Sequence, residues 1–172
     1  METITHNLVA VIIQILCFAY LPFPWNIIFT IILAFMSHIL VDDFSIITYH
    51  TPEARKDDKF WLIWHYIIYA LSILSTIIFL LPYWLSLLFA NVIDLWDWFI
   101  LRPIQKKRKS KNPESQWGDK YYFHRMVDWS RQKLFFWLPQ RTYKRSGIII
   151  EIIIICVLSL ILIFLGASIF IP

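Results

Sequence analysis

The chain has 172 residues, 59% of them hydrophobic and 18% aromatic, with a mean hydropathy of +0.61. A core of that composition leaves too few polar residues to coat a water-soluble domain, and its long apolar runs exclude disorder. The net charge of +4 hides a cluster of 13 of the 16 Lys and Arg residues between Arg102 and Arg145, which beside apolar runs reads as a cytoplasmic loop before a nucleic-acid patch.

The first seven residues carry no Lys or Arg, and no small-residue cleavage site follows Tyr20. The opening segment therefore reads as a retained helix and not as a signal peptide. A spanning helix needs about 20 mostly apolar residues. The first candidate is 8–21, short but extendable, closed by Pro22 and Pro24, which break the chain into a tight turn. The second is 25–41. The third is 60–81, ended by Pro82, and the fourth is 83–101, ended before Pro103. A basic loop at 102–147 follows, with an interfacial amphipathic helix at 117–138, and the fifth span is 148–171. The runs are continuous and do not alternate, which argues against barrel strands. The expected fold is an all-α integral membrane bundle. It has one domain, about five transmembrane helices and the interfacial helix.

Five spans put the N-terminus and both charged loops on one side. The positive-inside rule makes that side cytoplasmic and the C-terminus external, as in an inner-membrane protein. All five histidines and all 12 acids then fall on the same side. Trp and Tyr residues crowd the span ends as an interfacial belt. The run RPIQKKRKSK at 102–111 holds six basic residues and is expected to attract anionic lipid headgroups, not nucleic acid. Cys17 and Cys156 lie in apolar runs and read as small packed residues.

Some ionisable residues lie within or beside apolar runs, where charge is costly: at least about 2.5–3.5 kcal/mol at the bilayer centre. Asp94 and Asp97 share one apolar helix and need partners. His38 and Asp42 are four apart, hence on one helix face, and His124 and Asp128 repeat that spacing. Such a pair can ligate one metal, or the carboxylate can orient a ligating imidazole. The expected ligands are His38, Asp42, Asp94 and His124, with His6 beside them. Asp97 and Asp128 are the candidate proton acceptors. Mixed imidazole and carboxylate donors suit a divalent metal such as zinc or manganese. The bland readings are that the aspartates pair with loop lysines, that His65 hydrogen-bonds a neighbouring helix, and that Glu151 complements a helix N-terminus.

The segment SHILVDDFSIITYH resembles small bacterial and archaeal membrane proteins known as membrane-bound metal-dependent hydrolases. ITHNLVA, NVIDLWDW and YYFHRMVDW resemble further motifs of that family, in the same order along the chain. Asp94 follows Ile where the family has Pro, and His50 follows Tyr at a longer spacing than the family's second histidine. The resemblance implies a hydrolase with a metal held at these positions. A lipid or lipid-linked phosphoester would be its expected substrate. Metal-ion or proton transport and a non-catalytic scaffold are the other function classes. The outer halves of the spans contain no ionisable residue, which disfavours a monomeric transporter.

Overall fold

The structure, a computed structural model, describes residues 2–51, 57–111 and 123–170, with backbone alone for 167–170. It is helical, with no strand among the described residues. The helices are α1 (Thr3–Tyr20), α2 (Trp25–Phe44), α3 (Lys59–Leu80), α4 (Trp84–Asp94), α5 (Arg102–Lys111), α6 (His124–Lys133) and α7 (Gly147–Phe170). A 3-10 turn at Ser45–Ile47 extends α2, and a π-helical segment at Leu95–Leu101 joins α4 to α5. Five helical stretches are long and apolar enough to cross a membrane.

Three boundaries differ from those expected. First, α1 starts at Thr3 and not at residue 8, so His6 lies inside the first helix. The polar residues Thr5, His6 and Asn7 lower local hydropathy, yet all three are buried by neighbouring helices. Second, the fourth span does not stop before Pro103. It runs through the π segment into α5, a stretch of 28 residues. There the Arg102 amide reaches back five residues to the Asp97 carbonyl. That widened turn precedes Pro103 and makes room for its ring, which in a regular α-turn would clash with the carbonyl four residues back. Third, α6 is shorter than the interfacial helix expected at 117–138; residues 117–122 of that stretch, including Tyr121, lie outside the described residues.

The most embedded helix is α1, which packs against α2, α3, α4 and α7, while α2 also meets α4 and α6. Ala10, Val11, Ala34, Leu87 and Ala90 form one buried cluster, where small side chains let α1, α2 and α4 approach closely. Hydrogen bonds then fix the contacts. Asn7 Nδ2 donates to Ser75 Oγ and to Thr76 Oγ1, both at 2.9 Å, and Asn7 Oδ1 accepts from Asn91 Nδ2 at 3.0 Å. Further along, Gln14 Oε1 accepts the Ser86 amide at 3.0 Å. That amide belongs to the first turn of α4, where no intrahelical acceptor exists. By contrast, α7 is apolar all round and largely exposed, as a lipid-facing helix is.

The start of α7 presses on the chain after α2. A Cβ built on Gly147 would lie 2.5 Å from the Tyr49 amide nitrogen and 2.6 Å from the Thr48 carbonyl carbon. Beside it, the Arg141 amide donates to the Ile46 carbonyl at 2.8 Å. Gly147→Ala is therefore expected to lower the melting temperature in detergent, because backbone must move to admit the methyl group; an unchanged melt would show that the crossing is loose. Asn7→Ala removes one amide serving three partners on two helices. The expected loss is about 1–3 kcal/mol, the scale for stranding buried polar groups, read from unfolding in mixed micelles.

Candidate metal centre

The polar residues of the apolar helices converge at one end of the bundle. This end combines the start of α1, the end of α2, the end of α4 and the start of α6. His38 and Asp42 lie one turn apart on α2, so both face α4. Asp94 closes α4, and His124 opens α6. One ligand atom from each of these four residues lies within 4.8 Å of the other three.

The distances fit a small cation. His38 Nε2 lies 3.3 Å from Asp42 Oδ2 and 3.8 Å from Asp94 Oδ1. His124 Nε2 lies 3.6 Å from each of the same two oxygens. Two ligands bound at about 2.0–2.1 Å in a tetrahedron are roughly 3.3–3.4 Å apart. The four His–Asp distances are within a few tenths of an ångström of that spacing, and all four atoms lie within 4.8 Å of one another.

Hydrogen bonds to the far sides of the rings set the tautomers. His38 Nδ1 is 2.6 Å from the Ala90 carbonyl. A carbonyl only accepts, so Nδ1 carries a proton and a neutral ring presents the Nε2 lone pair to the carboxylates. That Nε2 is buried and has no hydrogen-bond partner among the described residues. His124 repeats the arrangement, with Nδ1 2.5 Å from Asp97 Oδ2. Two lone pairs and two carboxylates aimed at one point repel unless a cation sits among them or both rings are protonated. The four residues can hold a metal ion.

The remaining expected residues are placed around this quartet. His6 stands beside it: its Nε2 is 3.1 Å from Asp42 Oδ1, and its ring stacks on His38 at 4.3 Å between centroids. It braces a ligand from behind. Asp97 is fully buried against His124, in the manner of a carboxylate that orients a metal-bound imidazole. Asp128 is exposed one turn along α6 and is not in the four-residue group. His50 Nδ1 turns to Glu2 Oε1 at 3.2 Å. His65 bonds the Trp61 carbonyl at 2.8 Å and stacks on the Trp61 ring. Glu151 is buried at the start of α7, and neither carboxylate oxygen has a hydrogen-bond partner among the described residues. The sequence did not point to the Ala90 carbonyl, because any residue type supplies one.

The quartet is asymmetric in its access. The His38 side chain is 0% exposed and Asp42 12%, whereas Asp94 is 31% and His124 24% exposed. The more exposed side of the quartet is the one formed by Asp94 and His124. Comparisons with protein families, curated proteins and solved structures find no match to this chain. The site's own geometry is therefore the ground for assigning it. Asp97→Asn keeps the shape but removes the charge that holds the His124 Nδ1 proton. Metal affinity is expected to fall about 10–100-fold, the usual effect of losing such a partner, as read by competition with a chelating dye. Unchanged affinity would mean that packing alone orients the ring.

Proposed function

We propose that this chain is a membrane-embedded, metal-dependent hydrolase whose centre faces the cytoplasm. The observation that carries the reading is the convergence of two imidazole lone pairs and two carboxylates on one half-open point, each ring oriented from behind. The two-nitrogen, two-oxygen donor set favours zinc or manganese over thiophilic metals. Such a metal supplies an acidified water and polarises a phosphoryl or carbonyl oxygen. His38, Asp42, Asp94 and His124 would hold it. Asp97 keeps His124 in its ligating tautomer and, fully buried, has no route to a substrate. The proton-accepting role passes to Asp94, the most exposed carboxylate of the quartet, with Asp128 as the farther alternative.

The basic loop places this end of the bundle on the cytoplasmic side by the positive-inside rule, with the C-terminus outside. Lys106, Lys107, Arg108 and Lys109 are exposed on α5, where each basic side chain near an anionic membrane contributes about 1 kcal/mol of attraction. A centre at headgroup depth, approached over a basic surface, favours a lipid or lipid-linked phosphoester as substrate. Metal or proton transport is the weaker reading. The polar groups of Asn7, Gln14 and Asn91 on the way to the other face are bonded to neighbouring helices.

The test is elemental analysis of the detergent-purified protein beside a double variant, His38→Ala with Asp94→Asn. One divalent metal per chain is expected in the wild type and none in a folded variant. Metal-dependent release of phosphate from lipid phosphoesters should disappear with it. A metal-free wild type, even after reloading, would sink the hydrolase reading.

A further inference from the structure

We infer that Arg131 is a positioning residue for the metal centre, clamping the helix that carries His124 to the helix that carries His38 and Asp42. The inference rests on the metal reading above and adds a residue to it. Of the helices that supply ligands, α6 is the least embedded. It provides one ligand, and Val127 and Ser130 are its buried residues. Val127 packs with Ile39 and Ile93, and Phe123 meets the Phe35 ring edge-on at 6.1 Å. Apolar contacts of this kind hold α6 close but fix its rotation weakly, since dispersion is not directional. An imidazole ligand needs its helix fixed in both rotation and depth.

The His124–Asp97 hydrogen bond fixes the ring at the start of α6, and Arg131 supplies a second directional tie two turns farther on. Its Nη2 donates to the Asp42 carbonyl oxygen at 2.7 Å and to Ser45 Oγ at 3.2 Å. Arg131 follows His124 by seven residues, about two turns, and so shares its face of α6. The acceptor is apt. The Asp42 carbonyl lies in the last turn of α2, where it already accepts the Ser45 amide; Arg131 uses its second lone pair, at an end where the helix dipole favours a cation. Asp43, the next residue, is fully buried and lies within reach of the Arg131 charge. The main chain of Asp42 is thus tied to the helix of His124, while the Asp42 carboxylate faces the His124 ring at 3.6 Å. One side chain fixes the spacing between two ligands that are distant in sequence.

The test uses the full-length protein in detergent, loaded with Co2+, with Arg131→Gln and Arg131→Lys variants. Chelator competition gives the affinity, and X-ray absorption at the cobalt edge counts imidazole ligands. Arg131→Gln is expected to weaken Co2+ binding about 10–100-fold, the range for residues acting through a ligand. Its imidazole count should fall from two to one while the metal-free protein keeps its melting temperature. Arg131→Lys, which retains a cationic donor, should recover part of the affinity and the second imidazole. It also carries the test if the glutamine variant does not fold. A lower melting temperature with two imidazoles still bound in the folded fraction would make Arg131 merely structural and overturn the inference, as would wild-type affinity in Arg131→Gln. A wild type that binds no Co2+ removes the metal reading and this inference together. Two imidazoles and the same affinity in the wild type and in both variants would remove this inference alone and leave the metal reading standing.

Discussion

Two carboxylates that face each other inside an apolar bundle must be neutralised, and the architecture of this protein is organised around that requirement. Asp42 and Asp94 come from different helices and share the same two imidazole neighbours. Left alone, such charges would be expelled to water or would take up protons. Here His6 contacts one oxygen of Asp42 while His38 and His124 flank the other. Behind the rings stand a backbone carbonyl and a third carboxylate. The polar groups form layers around one point, and the layers are drawn from four separate helices.

The helix that makes this possible supplies none of the four ligands. α1 runs through the centre of the bundle with Thr5, His6, Asn7 and Gln14 all buried. In lipid each would be a liability; between helices His6, Asn7 and Gln14 become directional links. Asn7 joins α3 to α4, and Gln14 satisfies an orphan amide at the start of α4. These bonds fix the depth of α4 relative to α1, and so the height at which Asp94 meets the α2 residues. Rigid placement of a constellation by surrounding hydrogen bonds is what a metal-binding site requires.

Much of this was legible from residue order alone. The five spans followed from run length, and the His38–Asp42 pair from helical spacing. The start of α1 is hidden from hydropathy for a physical reason. Hydropathy treats His6 and Asn7 as water-seeking, but protein neighbours bury them as well as lipid buries leucine. Pro103 likewise reads as a stop only if the preceding turn is an ordinary α-turn. The role of Asp97 is a matter of long-range packing, because one intramembrane aspartate looks like another until the α6 imidazole arrives beside it. The repeated spacing of His124 and Asp128 puts both on one helix flank. It does not say how far around that flank the neighbouring helices reach, and Asp128 lies beyond them.

The π-helical segment between Leu95 and Leu101 has a consequence for how this chain tolerates length changes. A π turn accommodates one residue more than an α turn, the usual mark of a single inserted residue in an otherwise regular helix. Each residue advances the helix by about 100°. Removing one position between 95 and 101 would restore regular winding and leave Asp94 where α4 puts it. Arg102 and the basic face of α5 would keep nearly their present orientation, because the widened turn already absorbs the extra residue; winding the same sequence as regular α-helix would instead swing them by roughly a quarter turn. The segment works as a phase adjuster: it lets the ligand-bearing half of a 28-residue helical stretch keep its orientation to the site, while the cationic half takes a different orientation to its surroundings.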